Sequence, residues 1–268
     1  MKKKFKLAFV GLLMTVLGLE AQEKTVVITT NVGTMEAKLY PDVPNHTRTF
    51  IERATKGEYN GALFTRVIKD FMIQGGSPDS KNAPEGARVG FGDRNAEILP
   101  EFRDQYFHKK GALAAPRQGD EINPQKKSDM SQFYIVQGKV YRPGELDTMQ
   151  IIKNAPIRKK AMNDYYLPIR EELDSLRASN PVEYNKHAVE INAKVDSVII
   201  ATPGHLIFTS EQREAYTTIG GTPHLDGQYT IYGELTSGFD VLDQIASQPR
   251  DAYDRPKKDI RIISITIK

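Results

Sequence analysis

The residues with most chemical potential fall in one run, Phe64-Thr65-Arg66-Val67-Ile68-Lys69-Asp70-Phe71-Met72-Ile73-Gln74-Gly75-Gly76, where a cation and a neutral amide interleave with apolar side chains. An arginine keeps its charge and carries rigidly placed donors, so Arg66 can act on a lone pair without a proton changing hands. Taken singly, Arg66 is a solvated strand residue, and Phe71, Met72 and Leu225 are core residues. Other chemistries find little footing. There is no cysteine, which removes disulfides, thiolate metal sites, iron–sulfur clusters and cysteine nucleophiles. Ser131 has no His or Asp nearby in a nucleophile pattern and is read as structural. His108, His205 and His224 lie on separate segments without metal-ligand spacing and are read as satisfied loop histidines. Gly90-Phe91-Gly92 lacks the third glycine and the following helix of a dinucleotide loop. We expect neither cofactor nor metal.

Such residues need short strands to hold them, and the chain supplies these. Thr25 to Thr30 is β-branched, and Thr34 to Tyr40 follows across the hairpin turn Asn31-Val32-Gly33. Pro44-Asn45-His46 opens a helix with Thr47, Phe50, Ile51 and Ala54 at helical spacing and Gly57 past its end. Ala62 to Val67, Phe71 to Gln74, Gly111 to Ala115, Gln132 to Val136 and Tyr229 to Leu235 read as further strands. Ser237 with Asp240 reads as a capping box for a helix carrying Phe239, Leu242, Ile245 and Ala246. Ile263, Ile265 and Ile267 alternate with polar residues in a last, half-buried strand. This pattern predicts a mainly β fold, a closed eight-stranded antiparallel barrel capped by two helices.

The stretch 139–218 does not share that texture. Leu146, Met149, Ile152, then Tyr166, Ile169, Leu173 and Leu176, then Ala188, Ile191, Val195 and Val198 recur at three- and four-residue steps. Pro156, Pro168 and Pro181 should break it into several helices, the last one capped near Ser210 to Arg213. We expect a helical insertion within a barrel domain formed by residues 22–138 and 219–268. Its 11 positive and 11 negative side chains balance.

Lys2, Lys3, Lys4 and Lys6 followed by the apolar run Leu7 to Leu19 and by Leu19-Glu20-Ala21 have the layout of a secretory signal peptide over residues 1–21. The run is too short to span a membrane as a helix, so no stable membrane insertion is expected. The overall formal charge of +3 belongs to that leader; without it, 33 positive and 33 negative side chains remain. A nucleic-acid partner is therefore not expected, since no net charge remains to meet phosphates. The expected location is outside the inner membrane, periplasmic or secreted, in a Gram-negative envelope.

Three segments resemble the cyclophilin-type peptidyl-prolyl isomerases: the run from Phe64 to Gly76, then Ser131-Gln132-Phe133-Tyr134-Ile135, then Leu225-Asp226-Gly227-Gln228-Tyr229-Thr230-Ile231-Tyr232-Gly233. They occur in that family's order, with the insertion between the second and third. The resemblance implies rotation about Xaa-Pro bonds, with a substrate groove on the outer wall of the barrel. It places Arg66 as the catalytic arginine and Gln74 as a catalytic partner that binds substrate backbone and steadies Arg66. Phe64, Phe71, Met72, Tyr134, His224, Leu225 and Tyr229 would contact the proline or its flanks. Gln132 would support the groove, and the backbone of Ala115, Pro116 and Arg117 would grip the substrate carbonyl. Thr65 stands where the family commonly has His, Tyr134 where it has Phe, Ala115-Pro116 where it has Met-Ala, His224 where some members have Trp, and Tyr229 where His is frequent. These departures put efficiency in question more than reaction type. We expect a monomer acting on proline-containing unfolded or extended polypeptides and assisting the folding of exported proteins. The competing expectation is a non-catalytic peptide-binding or chaperone module using the groove and the insertion.

Overall fold

A computed structural model describes residues 24–268, so the expected leader lies outside the described residues. Strand β1 (Lys24–Thr30) turns through Asn31-Val32-Gly33 into β2 (Gly33–Leu39). Val26, Ile28, Met35, Ala37 and Leu39 are fully buried while their neighbours face outward, the period-2 pattern of a sheet wetted on one side. Helix α1 (Pro44–Thr55) begins on a proline, whose missing N–H costs nothing in the first turn. Strands β3 (Phe64–Ile68) and β4 (Met72–Gly75) form the next hairpin. The short strands β5 (Glu97–Ile98) and β7 (Ser128–Asp129) pair only with each other, and β6 (Ala112–Ala114) and β8 (Phe133–Val136) lie side by side.

Between β8 and the last strands run helices α2 (Pro143–Tyr165), α3 (Arg170–Ser179), α4 (Pro181–Ala201) and α5 (Ser210–Thr218). Strand β9 (Ile231–Ser237), helix α6 (Phe239–Ala246) and β10 (Ile262–Ile267) complete the chain. The capping box expected at Ser237 does not form; α6 instead starts at Gly238, whose φ of +81° no β-branched residue would tolerate easily.

Among the described residues, eight strands make one antiparallel sheet in the order β10-β1-β2-β9-β6-β8-β4-β3. It curls round a core in which Phe50, Tyr59 and Phe64 pack against Phe133, all three with interplanar angles near perpendicular for the Phe133 pairs. The sheet is a curled half-barrel, which corrects the expected closed barrel. Its edges β3 and β10 share no ladder; they meet through one isolated bridge, Leu63 with Arg261, and single bonds such as Phe64 N–H to the Ile260 carbonyl at 2.9 Å. The chain before β10 turns back on itself, with Asp251 N–H on the Arg255 carbonyl at 2.9 Å and Pro256 lacking a donor, so it cannot offer β3 an extended edge.

The helices between β8 and β9 have two small cores of their own. One joins them to the sheet, with Leu146, Phe208 and Tyr216 against Phe107 and Tyr141; the other lies further out, with Ala161 and Leu173 against Ile191, Val195 and Ile199. Pro156 does not break α2, which runs through it; the carbonyl it leaves unbonded belongs to Ile152, which is 68% exposed and so open to water rather than on the buried face expected for it. Pro168 sits in a 3-10 turn, Pro181 in the first turn of α4, and Thr209 rather than Ser210 caps α5. The insertion leaves and returns at one seam, where Gly138 faces Gly221 so closely that a Cβ on Gly138 would collide with the Gly221 backbone. No described helix is long and apolar enough to cross a membrane.

Candidate active site

The ladders build the site. Arg66 on β3 pairs with Gln74 on β4, and Gln74 pairs with Tyr134 on β8, so these side chains share one row on the outer face of the sheet. Met72, two residues before Gln74, shares that face. A β-bulge between Phe64 and Arg66 breaks the alternation. Without it Phe64 would point outward with Arg66. With it Phe64 turns inward, fully buried, edge-on to Phe133 at 6.0 Å. This corrects the assignment of Phe64 to the groove; it is a core residue.

A pocket of about 110 Å³ lies on this row, lined by Arg66, Phe71, Met72, Gln74, Pro116, Arg117, Tyr134, Leu225 and Tyr229. It suits a single small ring rather than a drug-sized ligand, whose sites run to about 300–1,000 Å³. His224 stands at its rim, stacked on Phe71 with ring centroids 5.6 Å apart. Gln132 lies behind the wall, its Oε1 accepting from Gln74 Nε2 at 3.1 Å while its own Nε2 donates to Asp129 at 3.0 Å. Ala115 does not line the pocket: it is fully buried and its N–H is spent on the Thr230 carbonyl at 3.0 Å, which corrects its assignment to substrate contact.

Arg66 is nearly half exposed, its Nε 3.5 Å from Asp254 and its guanidinium 5.7 Å from the Phe71 ring centre. Asp254 also meets Arg250 at 3.1 Å, so one carboxylate steadies two cations. Arg117 is differently employed. Its Nε donates to the Gln228 carbonyl at 2.8 Å, its Nη1 to Asp120 at 2.6 Å, and its plane lies 4.8 Å from the Tyr229 ring centre. Thus Arg117 fixes the Tyr229 wall.

Behind the pocket runs a hydrogen-bonded chain that sequence reasoning missed. Tyr134 Oη and His108 Nε2 are 2.8 Å apart, His108 Nδ1 and Asp226 Oδ1 2.9 Å, and Tyr216 Oη donates to Asp226 Oδ2 at 2.5 Å. Burial pushes the Tyr134 phenol well above its ordinary value, and burial together with Asp226 does the same to Tyr216. Both tyrosines therefore keep their protons. With Asp226 accepting, His108 Nδ1 donates and its Nε2 accepts from Tyr134, the arrangement that satisfies every member. The hydroxyl that distinguishes Tyr134 from the family's usual Phe thus has a partner, and the chain ties the pocket wall to α5. Asp226 lies inside the third motif, but nothing local links it to His108 or Tyr216. Burial holds His224 below the ordinary histidine range, which favours its uncharged form at the pocket rim.

The model of the family "cyclophilin type peptidyl-prolyl cis-trans isomerase/CLD" matches residues 25–153 and 187–267 of this chain. The chain belongs to the cyclophilins. Peptidyl-prolyl cis-trans isomerisation is accordingly its activity. Between the two matched ranges, residues 154–186 cover the second half of α2, all of α3 and the start of α4. A protein of Staphylococcus saprophyticus named as a peptidyl-prolyl cis-trans isomerase is 29% identical over 250 residues, covering 93% of this chain and 94% of the relative. A Streptococcus pyogenes protein named as a bifunctional phosphatase/peptidyl-prolyl cis-trans isomerase is 29% identical over 90% of this cyclophilin, which spans only 38% of that relative's length. Among solved structures, a Cryptosporidium parvum cyclophilin-type isomerase superposes with a TM-score of 0.52 at 18% identity, covering 92% of this chain and 98% of the other. That likeness concerns the fold alone.

Proposed function

We propose that this cyclophilin isomerises Xaa-Pro bonds of unfolded or extended polypeptides outside the inner membrane and so assists the folding of exported proteins. The chemistry asked of the site is modest. An amide resists rotation by about 20 kcal/mol because resonance must be broken, and no covalent step is needed if the site prefers the twisted amide to either planar form. Twisting localises the lone pair on the prolyl nitrogen, and a fixed cation donating to it stabilises that state selectively. Arg66 is the residue for this, and one charge-assisted hydrogen bond is worth about 1.5–3 kcal/mol, roughly tenfold to hundredfold in rate. Phe71, Met72, Tyr134 and Leu225 supply apolar walls for a ring without an N–H, Gln74 offers its amide to the substrate backbone, and Gln132 holds Gln74. The observation that carries the reading is the shared row of Arg66, Gln74 and Tyr134 over one small pocket.

A protease-coupled assay on a short Ala-Pro peptide tests it, wild type beside Arg66→Ala. We expect kcat/KM to drop tenfold to hundredfold; equal rates for the two proteins would refute the role. The export reading rests on the lysine-rich, apolar residues 1–21. Terminal sequencing of the protein from an envelope fraction should begin at Gln22, and an intact cytoplasmic chain would overturn it. Sedimentation should report the mass of one chain.

A further inference from the structure

We propose that the cleft between sheet and helical insertion extends the proline pocket into a track for one extended polypeptide, ending in an apolar groove on the insertion that takes an uncharged, aliphatic or aromatic segment of the same chain. The proposal rests on the isomerase reading for its substrate. Three cavities lie in succession. The proline pocket ends at Tyr229, and Tyr229 is also a wall of a second cavity of about 330 Å³ between sheet and insertion. That cavity ends at Ile207, which is in turn a wall of a third, about 670 Å³, between α2 and α4. Tyr229 thus borders the first two cavities and Ile207 the last two, which sets the three side by side.

The third cavity has the character of a site for apolar side chains. Ile151, Ile200 and Ile207 line it and are 70%, 60% and 46% exposed. Single exposed isoleucines are ordinary on a soluble protein, but three round one groove are not. Its charges are already answered: Arg158 meets Asp196 at 3.1 Å and Asn192 at 3.0 Å. The groove thus presents no net charge to attract an acidic or basic partner, which leaves apolar burial as its means of binding.

The floor is built in advance of any ligand. The strand-like connection from α4 to α5 is strapped to α2 by side-chain amides. Asn154, itself buried, gives its Nδ2 to the Leu206 carbonyl and takes the Leu206 N–H on its Oδ1, both at 2.8 Å, and Gln150 takes the Phe208 N–H at 2.7 Å. Phe208 then enters the cluster that joins insertion to sheet. A rigid strap between the groove and the cleft holds the two in fixed relation, so a bound chain loses little to ordering the protein.

The test uses the full mature chain and three peptides with a single Ala-Pro bond: a tetrapeptide, and two extended peptides of about 25 residues, one with Ile, Leu and Phe on both flanks and one with Ser and Gln in their place. Affinity is read by anisotropy and isomerisation by exchange NMR. The apolar-flanked peptide should bind at least fivefold more tightly than the other two, and Ile151→Asp with Ile200→Asp should abolish that preference. Both residues are exposed, and unchanged thermal unfolding of the variant checks that the arm is intact; Ile207→Ser serves as a second, milder variant. Equal affinities of the two long peptides for wild type, or a preference that survives the substitutions, overturns the track. So does a groove-dependent dimer in sedimentation that buries the same isoleucines without any peptide preference. Failure of wild type to accelerate the tetrapeptide would instead strike the isomerase reading, and would leave the flank preference to be read separately.

Discussion

Replacing Tyr216 by Phe tests whether the helical insertion helps to hold the proline pocket. The tyrosine is fully buried, and its ring packs against Phe107, Tyr141 and Phe208, contacts that a phenylalanine retains. What is lost is the hydroxyl's bond to Asp226 Oδ2 at 2.5 Å. A hydrogen bond to a charged acceptor contributes about 1.5–3 kcal/mol. Asp226 keeps 13% of its side chain exposed, so water replaces part of the loss, and we expect a cost of about 2 kcal/mol, roughly 4–8 °C in Tm for a chain of this size. Asp226 also takes the His108 backbone N–H at 2.8 Å and lies next to Leu225, a wall of the pocket. A loosened Asp226 lets that wall move, so KM for an Ala-Pro peptide should rise about two- to fivefold with kcat nearly unchanged. Calorimetry and protease-coupled kinetics on wild type and Y216F read the two effects. A Tm within about 1 °C of wild type, or a fall in kcat at constant KM, would show the reasoning to be wrong.

Two further perturbations follow from buried charge. His46 is enclosed between Glu101, 2.7 Å from Nδ1, and Ser128, 2.9 Å from Nε2, and burial holds its pKa below 6.5. Burial alone would push Glu101 up, but hydrogen bonds from the His46 side chain and the His46 and Asn45 backbones outweigh it and hold it below 4.5. The unfolded chain takes up each proton first, so stability declines as pH falls from 6.5 toward the lowered His46 value, and again from 4.5 toward that of Glu101. Melting curves should show a steeper first decline in wild type than in His46→Gln, because His224, also lowered, titrates in that window in both; a wild-type Tm that is flat between about pH 7 and 5 would contradict it. Arg255, 2% exposed, donates to Asp259 at 2.8 and 3.0 Å and to the carbonyls of Pro84 and Ala87 at 3.1 and 2.7 Å. Arg255→Met should cost about 3 kcal/mol in urea unfolding and, by freeing adjacent Asp254 from its place beside Arg66, raise KM; stability equal to wild type would show these bonds to be dispensable.

Local patterns in the chain were enough to specify the eight strands of the main sheet and the first helix, though not the short pair β5 and β7, because period-2 alternation, turn glycines and prolines act over a few residues. The outward row of Arg66, Gln74 and Tyr134 was likewise legible once three motifs were matched to one family. What the chain could not reveal locally depended on pairing across long separations. One bulge turned Phe64 into the core, and a turn before β10 left the sheet open where alternation alone implied closure. Pro156 passes through α2 because α4 and α5 hold that helix from one side while its freed carbonyl faces water. Asp254 beside Arg66, and the chain from Tyr134 through His108 and Asp226 to Tyr216, join residues that no spacing rule connects. The chain of four exists only because the fold brings each of its members within three ångströms of the next, and that is a property of packing, not of any stretch of sequence.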